Sequence, residues 1–131
     1  MTLQSQFKNG RTGRGVAYVS DHSGSTHAKF MRLSARALVP LGVLAAWFLV
    51  GVVGKSYEDV HAEIGRPFPA LVLIAFIVIG MAHARQGAAE IIEDYVHDDA
   101  LKAKALVVNK WLAIAIAAIW TASLLVIASP K

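Results

Sequence analysis

Three stretches of the chain carry no charged side chain, and polar clusters separate them. Ala37–Gly54 runs between Arg36 and Lys55, Pro67–Ala82 between Arg66 and His83, and Trp111–Pro130 between Lys110 and Lys131. A helix that crosses a bilayer needs about 20 mostly apolar residues, with a range of about 17–25. The first and third stretches meet that length. The second is slightly short, so its helix must run on through His83 and Arg85, whose polar groups then need partners or a wet surface. The pattern predicts an all-α integral membrane protein with three transmembrane helices, spanning residues 33–54, 67–96 and 104–129. The alternative is a soluble bundle of buried helices, but three such stretches in 131 residues leave too little polar surface to cover them.

Composition agrees, with 56% hydrophobic residues and a mean hydropathy of +0.51. The lack of cysteine excludes a structural disulfide and any cysteine-ligated iron–sulfur cluster on this chain. The net charge of +4 does not point to nucleic acid, because the basic residues collect on one side of the predicted spans. Lys8, Arg11, Arg14, Lys29, Arg32 and Arg36 precede the first span, and Arg85, Lys102, Lys104 and Lys110 lie between the second and third. The loop between the first two spans holds only Lys55 and Arg66. Positive-inside counting puts the N-terminus and the second connection inside.

Residues 1–26 are polar and without apolar periodicity, which predicts a loose inside tail ahead of a membrane domain over 27–131. The Arg-rich, acid-poor start is compatible with a transit peptide. A cytoplasmic tail explains it as well, so a bacterial inner membrane is expected ahead of a mitochondrial one. Pro40 either kinks the first span or marks its first turn. Pro67 and Pro69 suit the start of the second, where missing amide donors matter least. Trp111 is expected at an interface, Trp47 and Trp120 against lipid or a partner helix. Ala115, Ala118 and Ala122 form a small-residue stripe suited to close helix packing.

His83 carries the chemistry. An ionisable group at membrane depth is costly and marks a site by default. On a continuous helix from Pro67, His83 lies about 24 Å from the outer end and Tyr95 about 18 Å further on. Asp94 follows His83 by three helical turns and falls on the same stripe. A neutral imidazole is a common ligand of haem iron. The bland alternative is a histidine bonded to a backbone carbonyl or a polar side chain of another helix. Gly80 and Gly87 flank His83 on its own face, either clearing room for a flat macrocycle or letting a neighbouring helix close in. His22, His27, His61 and His97 sit too far along the chain to reach His83, so a second histidine ligand would come from another polypeptide. Asp94 and Tyr95 read equally as an interfacial hydrogen-bonding pair or as a solvated helix end. Glu90, Glu93, Asp98 and Asp99 make the inner side acidic without the spacing of a divalent-metal site.

The run His83-(x)3-Gly87-(x)6-Asp94-Tyr95-Val96 resembles the signature of succinate dehydrogenase hydrophobic membrane anchor subunits, the smaller anchor. Glu90-Ile-Ile-Glu-Asp-Tyr-Val-His97 resembles the alphaproteobacterial and mitochondrial form. His27-Ala-Lys-Phe-Met-Arg32-Leu-Ser34-Ala, followed by Ala37-Leu-Val-Pro40-Leu, resembles the family's approach to its first span. The likeness covers residues 24–130. It departs where an aromatic pair often follows the N-terminal histidine and Ala28, Lys29 and Phe30 stand here. It departs again at Ser34, often threonine, and at Arg36, an added charge.

The resemblance implies a bundle completed by a companion cytochrome b anchor subunit. It implies His83 as one axial ligand of haem b, shared with a histidine of that companion, with Gly80 and Gly87 giving clearance and Arg32 facing a propionate. Tyr95 would donate to a ubiquinone carbonyl, with Asp94 beside it. Succinate would be oxidised on a flavoprotein subunit, not on this chain. Electrons would pass through an iron–sulfur subunit to quinone, joining the tricarboxylic acid cycle to electron transport. The rival readings are a non-redox scaffold or assembly protein, and the anchor of a fumarate reductase or other membrane cytochrome b.

Overall fold

The computed structural model describes residues 23–129, with side chains from Thr26 onward. The expected loose tail and His22 therefore lie outside the described residues up to position 22, as do Pro130 and Lys131. Four helices follow one another: α1 (Ser23–Gly51), α2 (Tyr57–Ile64), α3 (Pro67–Tyr95) and α4 (Asp99–Ala128). Residues 31–131 form a unit apart from residues 1–30.

Three helices are long and apolar enough to cross a membrane, over Thr26–Gly51, Pro67–Tyr95 and Asp99–Ala128. This agrees with the all-α, three-span expectation. The helices are continuous where the charge-free runs were interrupted, because isolated polar residues do not break backbone hydrogen bonding. α1 is already helical at Ser23, so Pro40 lies in its interior and does not mark a first turn. Its missing amide leaves one carbonyl of the preceding turn without its usual donor. α1 stops at Gly51, and the chain turns through Gly54 at φ +78°, a left-handed conformation that favours glycine.

α2 was not anticipated. Ser56 caps it, its hydroxyl oxygen accepting from the Asp59 amide at 3.2 Å and its hydroxyl donating to Asp59 Oδ2 at 2.8 Å. Glu58 and Asp59 in the first turn face the positive end of the helix dipole. α3 starts on proline as expected, with Pro67 at its first positions after Arg66. Asp98 caps α4 by accepting from the Leu101 amide at 2.7 Å. Only residues 96–98 separate α3 from α4, which makes these helices antiparallel neighbours.

The hydrophobic core sits at the α2 end. Ala45 of α1, Ile64 of α2, Leu73 of α3 and Leu124 of α4 are its buried members, with Phe76, Ile77 and Ile127 packed against them. Phe48 meets Phe68 edge-on with ring centroids 6.0 Å apart, joining α1 to α3. At Gly65 a Cβ would come within 2.7 Å of the His61 carbonyl oxygen and 2.8 Å of the Ile127 carbonyl oxygen. Only glycine lets the end of α2 meet the backbone of α4 this closely. At most 22% of any span's apolar window is buried within the chain, so the rest of that surface faces other apolar matter. Trp47, Trp111 and Trp120 are exposed, in keeping with lipid or partner contact, and the Lys110 ammonium lies 5.8 Å from the Trp111 ring. Ala115, Ala118 and Ala122 are exposed as well, so that stripe does not pack within the chain.

Candidate functional site between the first two spans

α3 carries His83 sixteen residues past Pro67. The ring is half-buried and turned toward α1, where Ser34 is buried at 5% exposure. Ser34 Oγ and His83 Nδ1 are 2.8 Å apart. The serine hydroxyl also donates to the Met31 carbonyl oxygen at 3.2 Å. A hydroxyl has one proton, and a carbonyl oxygen can only accept. Both contacts are satisfied together when the Ser34 proton goes to Met31 and Nδ1–H donates to Ser34 Oγ. That assignment leaves the lone pair on Nε2, the nitrogen for which no described residue provides a bond.

The contact foreseen by the bland reading of His83, a polar side chain on another helix, is thus present. It occupies one ring nitrogen and orients the other. A hydrogen bond on the remote nitrogen is also what a metal-binding histidine needs to fix its tautomer. Among the described residues no group of three histidines or carboxylates could hold a bare metal ion. The ligand chemistry here is that of a single imidazole.

The flanking glycines face the same way. A Cβ on Gly80 would sit 3.7 Å from Leu38 Cδ2, and one on Gly87 would sit 3.9 Å from Met31 Cε. Both distances are ordinary contact, so a methyl group would fit at either position without moving α1.

Arg32 is exposed, two residues ahead of Ser34 on α1. Asp94 and Tyr95 close α3, and both are exposed, Tyr95 at 77%. The fold brings Ser34, His83, Gly80 and Gly87 together. It keeps Asp94 and Tyr95 apart from them, Tyr95 about 18 Å along the helix axis. Asn109 of α4 donates to the Arg85 carbonyl oxygen at 2.9 Å, fastening α4 to α3 within a turn of His83. Neither Ser34 nor Asn109 stood out in the sequence as a partner. The one available signal was a polar residue near the basic end of each of two apolar runs.

Three membrane-length helices, with an imidazole hydrogen-bonded between the first two, define a multi-pass helical membrane protein. A family model described as "Succinate dehydrogenase/Fumarate reductase transmembrane subunit" matches residues 10–126. The chain belongs to that family, and it is a membrane anchor subunit of complex II. It is 37% identical over 100 residues to the succinate dehydrogenase hydrophobic membrane anchor subunit of Paracoccus denitrificans, covering 75% of this chain and 78% of that one. No solved structure matches it.

Proposed function

We propose that this chain anchors a succinate:ubiquinone oxidoreductase in a bacterial cytoplasmic membrane, with its N-terminus inside. His83 would ligate a haem b held jointly with a histidine of the companion cytochrome b subunit. Asp94 and Tyr95 belong to the ubiquinone-reduction site. The partners are that companion, an iron–sulfur subunit and a flavoprotein subunit.

The observation that supports the reading is the Ser34–His83 bond: with Nδ1–H donating to Ser34 Oγ, Nε2 keeps its lone pair for a ligand. The donor set fits the group: one oriented imidazole, half-buried, among apolar residues and glycines. When bound, a haem here would supply a one-electron store. The chain's own residues do the rest. Ser34 fixes the ring of His83. Arg32 stands near the surface, where a cation offsets a propionate. Tyr95 donates its hydroxyl proton in a hydrogen bond to a quinone carbonyl, where negative charge develops during reduction. Asp94 sits beside it with access to water, positioned to pass protons toward the same oxygen. The exposure of both residues supports a pocket completed by other subunits.

The test is the reduced-minus-oxidised spectrum of the complex purified through this chain, with its co-purifying polypeptides identified. A b-type band that falls sharply in His83→Ala is expected. A colourless wild-type complex lacking the flavoprotein and iron–sulfur subunits would favour the scaffold reading instead.

A further inference from the structure

Ser34 lies at the centre of a short hydrogen-bond chain that joins α1 to α3. Its hydroxyl donates backward along α1 to the Met31 carbonyl oxygen at 3.2 Å, and Nδ1 of His83 lies 2.8 Å from Oγ. The serine rotamer is thus set by its own helix, and Oγ is presented to the ring as an acceptor. Ser34 is buried, so bulk water does not compete for that oxygen. Hydrogen bonds in such a chain polarise and strengthen one another, and a low local dielectric adds to the effect. Among the described residues no carboxylate bonds to the ring, so the acceptor on Nδ1–H is neutral.

The electronic consequence falls on the far side of the imidazole. An acceptor on Nδ1–H draws that proton outward and raises the basicity of Nε2. A more basic nitrogen stabilises ferric iron over ferrous and so lowers the potential of the one-electron couple. Hydrogen bonding behind an axial ligand is one of the levers a protein has on that potential. The size of the effect follows the charge of the acceptor. Hydrogen bonds to an ionised group are about twice as strong as those between neutral groups. A serine hydroxyl therefore pulls part of the way that a carboxylate would.

We infer that Ser34 is a positioning residue with an electronic role: it sets how strongly Nε2 of His83 donates, and thereby where the midpoint potential of the haem lies. This rests on the assignment of His83 as a haem ligand. It goes beyond orientation, because a group that only aims the ring leaves the potential indifferent to the charge of the acceptor. It also makes the first span, which supplies no ligand, part of the redox site.

The experiment is a spectroelectrochemical titration, at one fixed pH, of the haem-bound fraction of the purified complex in wild type, Ser34→Ala, Ser34→Thr and Ser34→Asp. Ser34→Ala should shift the ferric-to-ferrous ratio about threefold toward ferrous at a given potential, a rise of about 30 mV in midpoint at about 59 mV per decade for one electron. Ser34→Thr keeps the hydroxyl and should match wild type. Ser34→Asp, with a carboxylate as acceptor, should move the midpoint in the opposite direction to alanine. A serine that only packs predicts no shift, or the same direction for alanine and aspartate, and either result overturns the inference. Should Ser34→Asp not assemble, threonine against alanine decides, and equal midpoints in those two overturn it. His83→Ala separates the two levels. A b-type band that survives His83→Ala sinks the haem assignment and this inference with it. A band lost in His83→Ala, with equal midpoints in wild type and Ser34→Ala, sinks the role of Ser34 alone.

Discussion

Ser34 of the first span and His83 of the second share a hydrogen bond of 2.8 Å, so the ring that carries the proposed ligand nitrogen is aimed by a different helix. Replacing Ser34 with alanine removes the only acceptor of Nδ1–H among the described residues. Loss of a hydrogen-bond partner behind a metal-ligating histidine typically costs about 10–100-fold in affinity. Ser34→Ala should therefore lose haem about tenfold faster on washing, at unchanged helix content by circular dichroism. Ser34→Thr keeps the hydroxyl and should restore retention. Equal haem retention in the alanine variant would show that Ser34 does not orient the ligand.

Tyr95 stands about 18 Å along α3 from His83, and the two should fail independently. Tyr95→Phe removes one hydroxyl from an exposed ring, so stability should change little. Ubiquinone reduction should fall by about tenfold or more, the scale of one lost hydrogen-bond donor to a developing oxyanion. Succinate oxidation by an artificial acceptor and the b-type spectrum should persist. Undiminished ubiquinone turnover removes Tyr95 from the site.

Among the described glycines, Gly65 leaves the least room for a side chain. Adding a methyl group would set it 2.7–2.8 Å from two carbonyl oxygens, neither of which belongs to a flexible side chain. Gly65→Ala should cost about 1–3 kcal/mol, as overpacking does, and separate α2 from α4. Thermal denaturation of the assembled complex checks this. A melting temperature equal to wild type would mean that the contact gives way without cost.

Asn109 fixes α4 to α3 through the Arg85 carbonyl oxygen at 2.9 Å. Interhelical hydrogen bonds of this kind contribute about 0.6 kcal/mol on average within membranes. Asn109→Leu should therefore leave assembly intact while making the b-type band broader or its potential shifted, because the backbone two residues beyond His83 loses its tether. Spectroelectrochemical titration reads that change. An identical potential would confine Asn109 to packing.

The three spans were legible because length and lack of charge decide whether a helix crosses a bilayer, and both are printed in the sequence. α2 was not, since its eight residues include Glu58, Asp59 and Glu63 and it is held by the Ser56 cap and by burial of Ile64. The local signal was Ser56 three residues before Asp59, too common to identify a helix alone. His83 stood out as an ionisable group in an apolar run. Its partner did not, because a serine near the start of a span can cap, bond backward or reach across, and only tertiary packing chooses. The glycines showed the same limit. Their sequence fits clearance and close packing alike, and the structure finds Leu38 and Met31 against them.

The buried apolar cluster lies wholly toward α2, whereas the opposite half depends on Ser34–His83 and Asn109–Arg85 for its cross-links. The subunit is therefore stiff at one face of the membrane and pliant at the other. Regions with few buried apolar contacts open at lower free energy than the core does. Detergent or heat should loosen the imidazole's surroundings first, releasing the proposed haem while the far end of the bundle still stands.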